Sequence, residues 1–117
     1  MNSKKAVSAL SHKYIINDPL HQIFDAVSAI SVQGYDENRR VIYWNEGSEL
    51  LYGFTKEEAT GQQIEDLIIP KPMCEFVIAA HTNWIKNGVE IPAAELTLLD
   101  KQGNDVCVYS SHVLFTN

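Results

Sequence analysis

The chain has 117 residues, 45% of them hydrophobic and 21% charged, with a formal net charge of −6. That length suits one domain around one core, and charge dispersed among apolar residues excludes a long disordered tract. The basic clusters Lys4-Lys5 and Arg39-Arg40 are too small to track phosphates, so nucleic acid is excluded as a partner, and the acidic balance argues against contact with an anionic membrane.

Residues 1–16 read as a leader, helical or flexible, because Ala6, Val7, Leu10 and Tyr14 fall at roughly helical spacing. Its two lysines are not followed by an apolar run, so it is no secretory signal, and no stretch of the chain is long and apolar enough to span a bilayer. A cytoplasmic location is expected. Asn17-Asp18-Pro19 then predicts a helix start, with Leu20, Ile23, Phe24 and Val27 as its buried stripe. Residues 29–35 and 41–44 predict two strands, joined as a hairpin by the polar turn 36–40.

Asn45 and Glu46 open a helical segment that Gly53 ends. Thr55 and Glu58 have the spacing of a capping box, so a short helix is expected before Gly61. A turn over 64–69 stops at Pro70. The longest helix is predicted over 72–87, capped by Gly88, with Met73, Phe76, Val77, Ala80 and Trp84 buried. Strands over 93–99 and 106–115 flank the turn Asp100-Lys-Gln-Gly103. Strands paired at the two ends of the helices predict an α+β fold with an antiparallel sheet and the longer helix packed on one face.

Residues 42–61 carry a recognisable order: a strand ending in Asn45, the step Tyr52-Gly53-Phe54, then Thr55, Glu57-Glu58 and Gly61. With the later turn at 100–103, this pattern resembles the PAS family from about Leu20 to Phe115. The resemblance implies a sensory and dimerisation module of the kind attached to bacterial diguanylate cyclases (GGDEF type) or histidine kinases. It implies a domain over 17–117 with a five-stranded sheet. Four strands are legible, so the last is expected beyond Asn117, with an open sheet edge that invites pairing. The cysteine motif of flavin photosensors is absent; the matching place reads Gly61-Gln-Gln-Ile-Glu-Asp.

No constellation supports catalysis. Glu57 and Glu58 suit a helix start rather than a shared cleft. Ser110 and His112 share a strand face but show no acid partner, and they read as outward polar positions. The glycines are too dispersed for a phosphate loop. Cys74 and Cys107 have no metal-ligand spacing with the scattered histidines, so no metal is expected. Haem-binding members of the family use a histidine on the long helix, which makes His81 a candidate cofactor ligand, although it lies about two turns late for that role.

A small-molecule cavity is the remaining candidate. The resemblance places it between the sheet and the long helix, with Phe76, Ala80 and Trp84 on the helix side and Glu95, Thr97, Cys107 and Tyr109 on the strand side. The strand set depends on parity, which one register slip reverses. The expected function is a sensory module that binds a small ligand, forms a homodimer and regulates an attached effector, with no cofactor firmly implied. Two alternatives stand beside it: a ligand-free interaction module, and a haem- or flavin-based sensor.

Overall fold

The computed structural model describes residues 4–10 and 30–116. The helix expected over 17–28 lies outside the described residues. Five strands form one antiparallel sheet in the order β3-β2-β1-β5-β4: β1 Lys4–Leu10, β2 Val32–Tyr35, β3 Val41–Trp44, β4 Ala94–Leu99 and β5 Asp105–Thr116. Helices α1 Glu46–Tyr52, α2 Lys56–Ala59 and α3 Cys74–Asn87 link the two hairpins, with 3-10 turns at Ile64–Asp66 and Lys71–Met73. The α+β antiparallel class is as expected.

The leader departs from expectation. Within it, Lys4–Leu10 form β1, a strand in the middle of the sheet, rather than a helix or a tail. Ala6 to Ala9 pair with Tyr35 to Val32 on one side, and Lys4 to Leu10 pair with Thr116 to Ser110 on the other. A segment this short has no periodicity that separates helix from strand. Two neighbouring strands, each presenting a row of N–H and C=O groups, decide it instead. The sheet therefore has its five strands, and none follows β5 among the described residues.

Local signals shaped the other elements as predicted. Asp36 Oδ1 accepts from the N–H groups of Asn38 at 2.8 Å and Arg40 at 2.9 Å, which closes the β2–β3 turn. Arg39 sits there with a φ of 64°, and its guanidinium grips Glu65 through Nε at 3.0 Å and Nη2 at 3.0 Å. The Thr55–Glu58 capping box is present, with both of its reciprocal bonds. Gly88 caps α3 in the left-handed region at a φ of 73°.

The core gathers Tyr35, Val41, Trp44, Tyr52, Ala59, Ile64, Ile68, Leu98 and Val108 between sheet and helices. The crossover is tied to the sheet by backbone: Leu99 N–H donates to Ile68 O and Lys101 N–H to Tyr52 O, both at 2.8 Å. The buried side of α3 is turned from the expected stripe. His81 and Trp84 are buried and Phe76 is 71% exposed. Phe76 lies one residue, hence about 100°, back from Val77 on the helix. That rotation carries it to the edge of the contact and brings His81 inward.

Candidate functional site

The chemistry of the interior begins on β2. Ser31, Gln33 and Tyr35 alternate to one face, and all three are buried. Gln33 Nε2 donates to Ser48 Oγ at 2.8 Å and also to Ser31 Oγ, while Gln33 Oε1 accepts from the Tyr35 hydroxyl at 3.3 Å. Ser48, on α1, is fixed in turn by Asn45, whose Oδ1 accepts from Ser48 N–H and Val32 N–H, each at 2.9 Å. This network holds the Gln33 amide and the Tyr35 ring against the base of a cavity. Buried polar groups persist only where bonded in this way.

The cavity has a volume of about 170 Å³ and lies between α3 and the inner face of the sheet. Its floor is Gln33 and Tyr35 from β2, Ala94, Leu96 and Leu98 from β4, and Ser110 and His112 from β5. Ile64, Ile68 and Ile69 from the crossover close one wall; Met73, Val77, Ala80 and His81 close another, along α3. Phe76, Ala80, Ile91 and Pro92 also line a shallow groove outside, so the cavity opens there, between α3 and the loop before β4.

Among the described residues, the Tyr52 hydroxyl and His112 Nδ1 are buried without a hydrogen-bond partner, each on a residue that lines the cavity. The other nitrogen of His112, Nε2, lies 3.4 Å from Ser110 Oγ. Four rings meet in three edge-to-face contacts beside the space. The centroid of His81 is 6.0 Å from Tyr35 and 6.3 Å from His112, and Trp84 is 6.4 Å from His112. Burial pulls the pKa of His81 down to about 4, helped by the facing His112 and by Arg39, with Glu65 opposing. Burial alone takes His112 down to about 4. Both imidazoles are thus neutral at pH 7. Burial also raises the tyrosine hydroxyls of Tyr52 and Tyr35 above their ordinary range, so both stay protonated donors.

The predicted site residues divide sharply. Phe76 and Ala80 line the cavity, Phe76 at its mouth. Trp84 is not in the lining; it is buried beyond His112 and supports that ring. Glu95, Thr97, Cys107 and Tyr109 do come together, but around an open depression on the opposite face of the sheet. Register explains the error: Glu95 pairs with Tyr109 and Thr97 with Cys107, while the inward pairs are Leu96 with Val108 and Ala94 with Ser110. The alternation of 94–99, apolar at 96 and 98 and polar at 95 and 97, carried the right parity. The preference for polar lining overrode it.

Ser110 and His112 are likewise corrected from outward to inward positions, where Ser110 is 3% exposed. Sequence reasoning missed Gln33, Tyr35 and Tyr52 as well, and only the sharing of one strand face by Ser110 and His112 foreshadowed the site. His81 faces the cavity, as a cofactor ligand would, but a space of about 170 Å³ does not admit a porphyrin. Among the described residues no group of three or more His, Cys, Asp or Glu side chains is placed to hold a metal ion. No helix of the described residues is long and apolar enough to cross a membrane.

Comparison with known proteins finds no match among the curated proteins or the solved structures. The family profile of the PAS domain, in contrast, matches residues 27–116. That span takes in the β2–β3 hairpin, the helical crossover with its cavity, and the β4–β5 hairpin, so the chain belongs to the PAS domain family, whose members are sensory and signalling modules.

Proposed function

We propose that this PAS domain senses a small molecule held in the cavity beneath α3 and passes the change to an attached effector through a homodimer. The carrying observation is a cavity of about 170 Å³ beneath α3, lined mainly by apolar side chains with Gln33, Tyr35, Ser110 and His112 among them. Such cavities, mostly apolar with a few placed polar groups, are the usual form of ligand sites. A ligand that binds one arrangement of α3 on the sheet better than another shifts the population between them. The role is regulatory rather than catalytic, in a cytoplasmic module, and the effector fits the diguanylate cyclase (GGDEF) or histidine kinase type of bacterial signalling protein.

Native mass spectrometry of the purified domain, beside its denatured mass, tests this. Extra mass released on denaturation supports a sensor. Bare masses, with no thermal shift across a panel of small metabolites, count against it and favour a ligand-free interaction module. That second reading has its own support: Tyr109 and Val113, on the face of the sheet away from the cavity, are each 51% exposed. A haem or flavin sensor is disfavoured by the cavity volume of about 170 Å³, and a colourless protein is expected.

A further inference from the structure

Resting on that reading, we propose that the cavity takes an uncharged hydrocarbon of single-ring size, held by shape and apolar contact rather than by hydrogen bonds. Size comes first. The volume of about 170 Å³ is close to the roughly 150 Å³ that receives benzene in an apolar protein interior.

The surface turned toward an occupant comes second. The polar side chains of the lining are almost wholly covered: Gln33 is 2% exposed, Ser110 3%, Tyr35 4% and His81 7%. Their bonds close within the wall. The Gln33 amide donates to Ser31 and Ser48, its oxygen accepts from the Tyr35 hydroxyl, and Ser110 Oγ lies 3.4 Å from His112 Nε2. The Tyr52 hydroxyl and His112 Nδ1 are themselves buried and do not open onto the space. The part-buried side chains that do face it are apolar, among them Ile69, Met73, Val77, Ala80, Ile91 and Leu96. A ligand hydroxyl would therefore give up water for little in return, whereas a hydrocarbon gives up nothing.

Charge comes third. No Lys, Arg, Asp or Glu lines the cavity itself. Burial keeps both of its histidines neutral at pH 7. A carboxylate or an ammonium would enter without a counter-charge and lose its hydration, which is strongly unfavourable. Glu90 and Asn83 line the groove outside the mouth, so charge is met at the solvent end and not within. A negative Glu90 there also opposes the approach of an anion.

The test is an NMR titration of the whole domain at pH 7 with toluene, phenol, benzylamine and sodium benzoate. The expected result is saturable toluene binding, with shifts at Val77, Ala80 and Leu96, about five- to tenfold tighter than phenol, and no saturable binding of benzylamine or benzoate. Ala80→Leu fills part of the space and should weaken toluene by at least about tenfold. Leu96→Ala widens it instead, and should improve propylbenzene over toluene by roughly tenfold. Phenol, benzylamine or benzoate binding as tightly as toluene overturns the ligand class and leaves the cavity as a ligand site. Failure of all four to bind also overturns the ligand class. The mass spectrum of the purified domain then decides the cavity reading separately: extra mass released on denaturation keeps it, and bare masses remove it.

Discussion

Asn45 shows how much one side chain does here. Its amide accepts from β2 and from the first turn of α1, and its Nδ2 donates to Ile30 O at 2.8 Å. Asn45→Ala leaves those buried backbone groups unpaired and removes a helix cap, so a loss of about 2–4 kcal/mol in urea denaturation is expected. Asn45→Asp keeps the acceptors and should recover part of that loss. The buried histidines make a second prediction. In the fold both have pKa values pulled from 6.5 to about 4, so the unfolded chain binds more protons between those values. Stability is then full above pH 6.5 and falls as the pH drops toward 4, by up to ~1.4 kcal/mol per pH unit for each group. Urea midpoints measured from pH 7 to 4.5 should show this slope, and a His81→Gln, His112→Gln variant should flatten it. The groups around His81 enter the same curve, because Arg39 and Glu65 act on it in opposite directions.

Among the elements, β1 and α3 carry the most consequence. β1 is bonded on both sides, to β2 and to β5, so a proline within it removes a ladder donor and clashes in the centre of the sheet. Val7→Pro should cost about 3 kcal/mol or more by chemical denaturation, where the same change in a leader outside the sheet would cost almost nothing. Loss of amide protection in β2 and β5 by hydrogen exchange would locate the damage. The β2–β3 turn is strained at Arg39, a non-glycine residue at a φ of 64°, and the largely buried ion pair with Glu65 holds it in place. Removing one partner of such a pair strands the other charge. Glu65→Ala is expected to lower stability by about 3 kcal/mol, read as an earlier thermal or urea transition.

At the scale of the whole molecule, the two faces of the sheet have separate tasks. The inner face packs on the helical crossover and encloses the cavity. On the other face, Tyr109 and Val113 stay half-exposed beside Cys107 and Thr97. Burial of those side chains against a second copy is the proposed route to a homodimer. Tyr109→Asp with Val113→Asp should shift the domain from dimer to monomer in light scattering while leaving its circular dichroism intact. A parent domain that is already monomeric at high concentration would refute the dimer. Because the chain carries a net charge of −6, self-association should strengthen as salt screens the repulsion between copies.

Sequence by itself determined what depends on neighbours along the chain. The Asn45 cap, the Thr55–Glu58 box, the Gly53 and Gly88 helix ends and the two hairpins were all legible, because each rests on bonds closed within a few residues. Their order also sufficed for the family. Tertiary structure decided what depends on distant backbone. The strand nature of residues 4–10 comes from two partners far along the chain, at 32–35 and 110–116. The rotation of α3, which buries His81 and exposes Phe76, comes from the surface it packs on. The parity of β4 and β5 comes from their pairing register, and that parity set Ser110 and His112 in the cavity and Glu95, Thr97, Cys107 and Tyr109 outside it. A one-residue change in register exchanges the two faces, and it leaves every local propensity as it was.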